Sequence, residues 1–389
     1  MVKRVDQTLD FLRWTSALLV AISHLRGFLF VDTEPSIFSE HITATLVATK
    51  VFYFITSLGN EAVIVFFVIS GYLIGGKLLE DGVSWEKLPD YFSHRISRIY
   101  IVLIPALALT LFFDLAGAQL ASGPLLYDHA DWSLNLNFVT SDNHGLGTLV
   151  CNLANLQLEL CSAYGSNGPL WSLAYEWFYY VTFPLLLLLM PSVKTSVASV
   201  VGWFCWLSAV ILLAVLFRHF TFFYGIWIAG AAARLAHDRK LIPLWLSYLG
   251  LAGLAFCVLY LRYYAGLGLH LNFLMGGALA LFLCNDHNWI GARGNIDSKL
   301  ASFSYSLYVT HHPLMLFILS ALLSTGVISG RQTPSFHAIS ILAVMLMVTY
   351  IVAWGFSLLT ERHTQALRIT LLRTYRSIFG DRASLDIVK

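Results

Sequence analysis

Charge is what this chain has least of. Asp, Glu, Lys and Arg make up 12% of its 389 residues, about half the share of an ordinary soluble domain. The net charge of +2 is too small a surplus for a nucleic-acid partner. No linker, repeat or low-complexity tract divides the chain, so one membrane domain over residues 1–389 is expected. Metal-ligand spacing is missing as well, and no metal is expected. The first segment has no small-residue cleavage site and carries Arg13 and His24, unlike a cleavable signal.

Apolar residues fill the space that charge leaves. They are 58% of the chain, with 11 Trp, 18 Tyr and 27 Phe and a mean hydropathy of +0.71. A span needs about 20 mostly apolar residues. That window predicts helices near 9–30, 59–79, 95–116, 169–190, 196–217, 219–235, 244–261, 268–284, 302–325 and 337–359. Residues 45–57 are apolar but short, as in a re-entrant or interfacial segment. The fold class expected is an all-α integral membrane protein of about ten transmembrane helices. With ten spans, Lys3, Arg4, Lys77, Lys87, Arg95, Arg98, Arg239, Lys240 and the cations after Glu361 share one side. The other side holds only Lys50, Arg218, Arg262 and Arg331, and the outer loop at 117–168 has no Lys or Arg. The positive-inside rule then makes both termini cytoplasmic, with a short tail at 360–389. Cys151 and Cys161 share the outer loop, where they are either a disulfide or two free thiols.

Ionisable side chains inside spans are costly, so each is a candidate for function. Arg13 and His24 are eleven residues apart, which on a helix returns to within about 20° of one face, about 16 Å along the axis. Asp10, one turn before Arg13, is placed to pair with it. Taken singly, Arg13 reads as an interfacial anchor and His24 as a histidine satisfied by a carbonyl; the shared face favours function. Asn167-Gly168-Pro169 is a helix start, and Glu176 lies about 10 Å down that helix from the outer surface, a depth similar to that of His24. A carboxylate orienting an imidazole is a general-base arrangement; the alternative is that Glu176 satisfies Trp171 or tyrosine hydroxyls in a structural network. Ser70 has no base near it in sequence, and Gly71 beside it suits close helix approach. Arg95 and Arg98, three apart, read either as topology anchors or as a phosphate clamp. His311 and His312 point about 100° apart on a helix and make a poor metal site.

Six stretches, in order, resemble the acyltransferase family 3 membrane proteins. They are LDFLRWTSALLVAISH from Leu9 to His24, FFVISGYLI from Phe66, SHRISRIY ending at Tyr100, LWSLAYEWFYY from Leu170, SYSLYVTHHP with His311, and Thr360-Glu361-Arg362. Ile101, His363 and Ile64 stand where that family usually has proline, proline and an acidic residue; Glu61 lies three residues before Ile64. The resemblance implies transfer of an acyl group, most often acetyl, from cytoplasmic acetyl-CoA to a hydroxyl of a surface or exported polysaccharide. The carbohydrate acceptor would enter from the extracytoplasmic side of a bacterial inner membrane. His24 and Glu176 would be catalytic, with His24 a general base or a transient acyl carrier. Arg13, Arg95 and Arg98 would hold the donor, and Trp171, Ser172, Ser70, His311 and Glu361 would line the substrate site. Family versions with an added esterase-like domain have no counterpart in the thirty or so residues after the last span. Asp128, Asp131 and Asp142 with Trp132 mark the acceptor side of the outer loop. The competing class is a secondary transporter or lipid flippase, which also uses buried His, Arg and Glu; no matched pair of interrupted helices supports it. A sensor or scaffold would leave the Arg13–His24 stripe without a role.

Overall fold

A computed structural model describes residues 4–31, 43–128, 141–191, 197–261, 268–287 and 295–379. Among these the secondary structure is helical, with isolated bridges and no named strand. Apolar runs fold this way because a helix satisfies its own backbone groups where water is absent. In chain order the helices are α1 (Arg4–Leu29), α2 (Ala44–Thr56), α3 (Gly59–Ser70), α4 (Gly76–Asp81), α5 (Leu88–Ala118), α6 (Gly123–Tyr127), α7 (Leu146–Leu153) and α8 (Trp171–Leu188). They continue as α9 (Val197–Leu216), α10 (Arg218–Phe222), α11 (Tyr224–Asp238), α12 (Leu244–Phe256), α13 (Leu269–Phe282), α14 (Asn295–Ala301), α15 (Ser304–Ser324), α16 (Phe336–Leu359) and α17 (Thr364–Phe379).

All ten stretches expected to be helical are helical, but not each as one rod. The stretch at 219–235 is divided at Phe223 into α10 and α11, and that at 244–261 ends in a π turn, Cys257–Leu261. Residues 45–57 form α2, whose N-cap Thr43 accepts from the Leu46 N–H. An apolar window counts composition, whereas helix continuity depends on local backbone bonds. Among the described residues, five helical runs suit a membrane span by length and composition: Ala44–Asp81, Trp85–Ala118, Ser199–Leu216, Ser304–Ser324 and Phe336–Phe379. The α9 side chains Val200, Phe204, Ile211 and Val215 are exposed, an apolar surface of the kind lipid covers.

The chain divides into two units. The first comprises Met1–Phe66, Ile104–Trp171 and Asp286–Leu358. Its core packs Ala21, Leu25 and Phe28 of α1 with Met315, Leu316 and Leu319 of α15 and Leu342 and Met345 of α16. The second comprises Phe67–Leu103, Ser172–Asn285 and Leu359–Lys389. Here the core is aromatic, with Tyr179 stacked on Tyr224 at 4.6 Å and Trp227 fully buried. Between α3 and α4 runs a π turn, Gly71–Gly75, which packs on α11. A Cβ at Gly71 would collide with the Trp227 carbonyl, and one at Gly230 with the Val68 carbonyl. Glycine at both places therefore lets the two backbones touch.

Candidate active site

In the first unit, α1 runs unbroken from Arg4 to Leu29, so Arg13 and His24 share one rigid helix. Asp10 accepts from Arg13 at 3.2 Å. Further along, the partly exposed His24 ring meets two imidazoles of α15. Its centroid is 5.2 Å from that of His311 and 5.1 Å from that of His312, which are 6.2 Å from each other. Phe28 packs on His312 at 5.0 Å.

Hydrogen bonds assign the nitrogens of the His311 ring. His311 Nδ1 lies 2.8 Å from the Tyr308 carbonyl and 3.1 Å from that of Leu307. A carbonyl oxygen only accepts, so Nδ1 carries the proton of the neutral ring and Nε2 keeps a lone pair. That Nε2 is buried with no partner among the described residues. The Nδ1 of His312 is likewise buried with no hydrogen-bond partner among the described residues. Two ring nitrogens without hydrogen-bond partners are thus held in a cluster with His24. At the other end of α1, Trp14 donates to the buried Asp297 at 2.9 Å, which fixes α14 against the helix.

The loop before α8 is tied down strongly. Cys151 and Cys161 form a disulfide, which resolves the choice that the sequence left open. Asn152 accepts from the Tyr164 N–H at 3.1 Å and donates to the Ser162 carbonyl at 3.0 Å. Asp114, buried in the last turns of α5, accepts from the Ser166 N–H at 2.8 Å and from the Ser166 hydroxyl, and His144 Nε2 lies 2.9 Å away. Gly165 has φ +52°, and a Cβ there would meet Asp114 Oδ2 and His144 Nε2, so both conformation and space call for glycine. Residues 129–140, with Asp131 and Trp132, lie outside the described residues, and Asp128 and Asp142 are exposed.

In the second unit, Ser70 is the middle of a polar chain. Trp227 Nε1 donates to Ser70 Oγ at 3.0 Å, and Ser70 Oγ is 3.1 Å from the Tyr180 hydroxyl. Tyr180 in turn hydrogen-bonds the Glu176 side chain, one helical turn away. Indole N–H only donates and a carboxylate only accepts. The chain therefore has one direction: Trp227 to Ser70 to Tyr180 to Glu176. Arg95 sits 5.8 Å from the Tyr91 ring centre and 5.6 Å from that of Tyr180. The Tyr91 hydroxyl donates to the Tyr180 carbonyl at 3.0 Å, which fixes the two rings together. Arg95 Nε is buried without a hydrogen-bond partner among the described residues. Arg98 is exposed, and Trp171, Ser172 and Glu361 are partly buried.

The structure thus brings together His24 and His311 in one unit, and Ser70, Glu176 and Arg95 in the other. Sequence reasoning passed over His312 as half of a poor metal site and did not consider Tyr180 or Trp227. It also missed Asp114, although an acid inside the apolar stretch 95–116 is the signal that singled out Arg13.

A family model described as an acyltransferase domain matches residues 6–357 and runs through both units. An uncharacterized protein of Haemophilus influenzae is 32% identical over 133 residues, 32% of this chain and 48% of its own length. An O-acetyl transferase of Shigella phage Sf6 is 27% identical over 172 residues, 44% of this chain and 43% of its own. The chain spans less than half the length of these curated relatives. No solved structure matches it.

Proposed function

The chain belongs to the acyltransferase-domain family, and from that premise we propose that it is a membrane-bound O-acyltransferase. Acyl-CoA, with acetyl as the first choice of acyl group, is the cytoplasmic donor. The acceptor is a hydroxyl of a surface or exported glycan on the extracytoplasmic side. Ten spans, cytoplasmic termini and a bacterial inner membrane complete the reading. One observation supports it above the rest: within the matched segment, His24 lies beside two imidazoles that each keep an unpartnered ring nitrogen.

In this scheme the acceptor hydroxyl adds to the thioester carbonyl as His24 takes its proton. The carbon–sulfur bond then breaks, the ester carbon–oxygen bond stays, and the proton goes from His24 to the departing thiolate. Acyl transfer through His24 itself is the other chemistry with the same products. Glu176 is the proposed second catalytic group, a carboxylate on which the Trp227–Ser70–Tyr180 chain ends. Arg95, its guanidinium beside two tyrosine rings and its Nε without a partner among the described residues, suits a phosphate, and Arg13 and Arg98 are assigned to the donor with it. Trp171, Ser172, His311 and Glu361 are assigned to the substrates. Ser70 is assigned a supporting place, because it stands between Trp227 and Tyr180 in the chain that ends on Glu176.

Purified protein with labelled acetyl-CoA and glycan tests the proposal. Label should pass to the glycan in wild type and not in His24→Ala, with membrane insertion unchanged. Full activity in His24→Ala removes the scheme. Label-free uptake of substrate into vesicles without acyl transfer establishes the transporter class instead.

A further inference from the structure

We propose that Asn167 is a positioning residue of the acyl-transfer site. It supplies the hydrogen bond that Pro313 cannot, and so holds the turn of α15 that carries His311 and His312 beside His24. The inference rests on the reading above, in which the imidazole cluster is catalytic.

Inside a helix the Val309 carbonyl would accept from the N–H four residues on. That residue is Pro313, within α15, and proline has no N–H. Val309 is 0% exposed, and a buried carbonyl left without a partner is costly. Spans tolerate proline where a neighbouring group satisfies what it frees. Here the neighbour is Asn167, whose Nδ2 donates to the Val309 carbonyl at 2.8 Å.

The side chain is committed to this task. Asn167 stands at the N-cap of the Gly168–Leu170 turn, where an asparagine ordinarily bonds the N–H groups that follow it, yet it makes no such bond. Its NH2 goes instead to Val309 and to Thr110 Oγ1 on α5, the latter at 3.0 Å. The Thr110 hydroxyl spends its own hydrogen on the Ala106 carbonyl at 2.8 Å, so its oxygen is an acceptor for Asn167. Asn167 itself is fully buried. A second bond joins the same segments, from the Tyr308 hydroxyl to the Pro169 carbonyl.

Three successive carbonyls of α15 therefore meet side chains. Those of Leu307 and Tyr308 lie against His311 Nδ1, and that of Val309 against Asn167. The two imidazoles of this stretch stand 5.2 and 5.1 Å from the His24 ring. Asn167 acts on them through the backbone of α15, not on the reacting atoms.

Returning the missing N–H to α15 separates this role from simple anchoring of the loop. Asn167→Leu keeps the size of the side chain and removes both donors. Pro313→Ala gives the Val309 carbonyl a donor from its own helix. The full chain in lipid nanodiscs is assayed with acetyl-CoA as donor and a de-O-acetylated bacterial polysaccharide as acceptor. We expect Asn167→Leu to lower kcat about 100-fold, as a small misplacement of catalytic groups does, with the KM for acetyl-CoA changed less than about 2-fold. In the Pro313→Ala background the same substitution should cost less than about 5-fold, because the carbonyl is already satisfied. Thr110→Val, which removes only the α5 acceptor, should keep kcat within about 3-fold of wild type. An equal loss from Asn167→Leu in both backgrounds overturns the proposal. So does full activity in Asn167→Leu, or a Thr110→Val as inactive as it. If Asn167→Leu alone does not fold, the double variant with Pro313→Ala must, and its failure overturns the proposal too. Wild type that transfers no acyl group, while thermal midpoints show the same dependence on residue 313, sinks the acyltransferase reading and leaves the hold on α15 standing.

Discussion

Replacing Ser70 with alanine separates two roles that its place in a polar chain allows. Ser70 is 7% exposed and Trp227 is fully buried. Indole N–H can only donate, and its acceptor is Ser70 Oγ at 3.0 Å. Alanine leaves that donor buried with nothing to meet, which costs about 1–3 kcal/mol. Tyr180 keeps Glu176 as its acceptor, so no second orphan is made. Ser70→Ala should therefore lower the thermal midpoint in detergent by several degrees and keep acyl transfer within about tenfold of wild type, as expected for a group outside the reacting atoms. Trp227→Phe removes the donor but also empties packed volume, so the coupling term of the double-variant cycle is the informative quantity. It should be at least about 1 kcal/mol, because removing both polar partners spares the desolvation cost of leaving one. A serine nucleophile would behave oppositely. Unchanged stability with transfer reduced on the order of 10⁴-fold or more would refute the structural role and make Ser70 the attacking group.

Other substitutions test other parts of the structure. Arg95→Ala should weaken coenzyme A binding by about 10-fold or more, the usual worth of a charge-assisted phosphate contact, and Arg95→Lys should not restore it, because a lysine lacks the planar fork that holds a phosphate by two bonds; calorimetric affinities equal to wild type remove the phosphate role. Gly165→Ala should cost about 1–2 kcal/mol from its left-handed backbone alone, and more as Asp114 and His144 are displaced; a thermal midpoint equal to wild type contradicts the tight loop. At Asp238, burial raises the carboxyl pKa, but the Arg234 and His237 contacts outweigh it and hold it below the ordinary 3.8. A depressed carboxylate contributes stability above its unfolded value that disappears as pH falls through the folded one. Arg234→Ala should thus be less stable than wild type from pH 5 to 7, and the gap should close only below 3.8; a gap that widens in acid would reverse the sign of the pairing.

Much of the candidate site could be read along single helices. Arg13 and His24 needed only the helical repeat to be placed on one stripe, and the unbroken α1 carries both. Asp10 one turn from Arg13 was legible for the same reason, and the salt bridge is present at 3.2 Å. For Glu176 the sequence offered Trp171 or a tyrosine hydroxyl as structural partners, and Tyr180, four residues on, is the one beside it. Ser70 was different. Its two partners are 110 and 157 residues away, and no local pattern distinguishes a serine at the centre of a polar chain from one that attacks a carbonyl.

By itself, then, the sequence determined the helices, their apolar character and the ionisable residues set among them, because 3.6 residues per turn and the cost of charge in an apolar medium act within one element. Tertiary packing decided which imidazoles face His24, that Asp114 reaches the loop before α8, that Trp227 spends its N–H on Ser70, and that Cys151 meets Cys161. Those contacts join segments whose separation along the chain says nothing about their separation in space. Only the burial of one helix face against another brings them within the few ångströms over which a hydrogen bond or a ring contact acts.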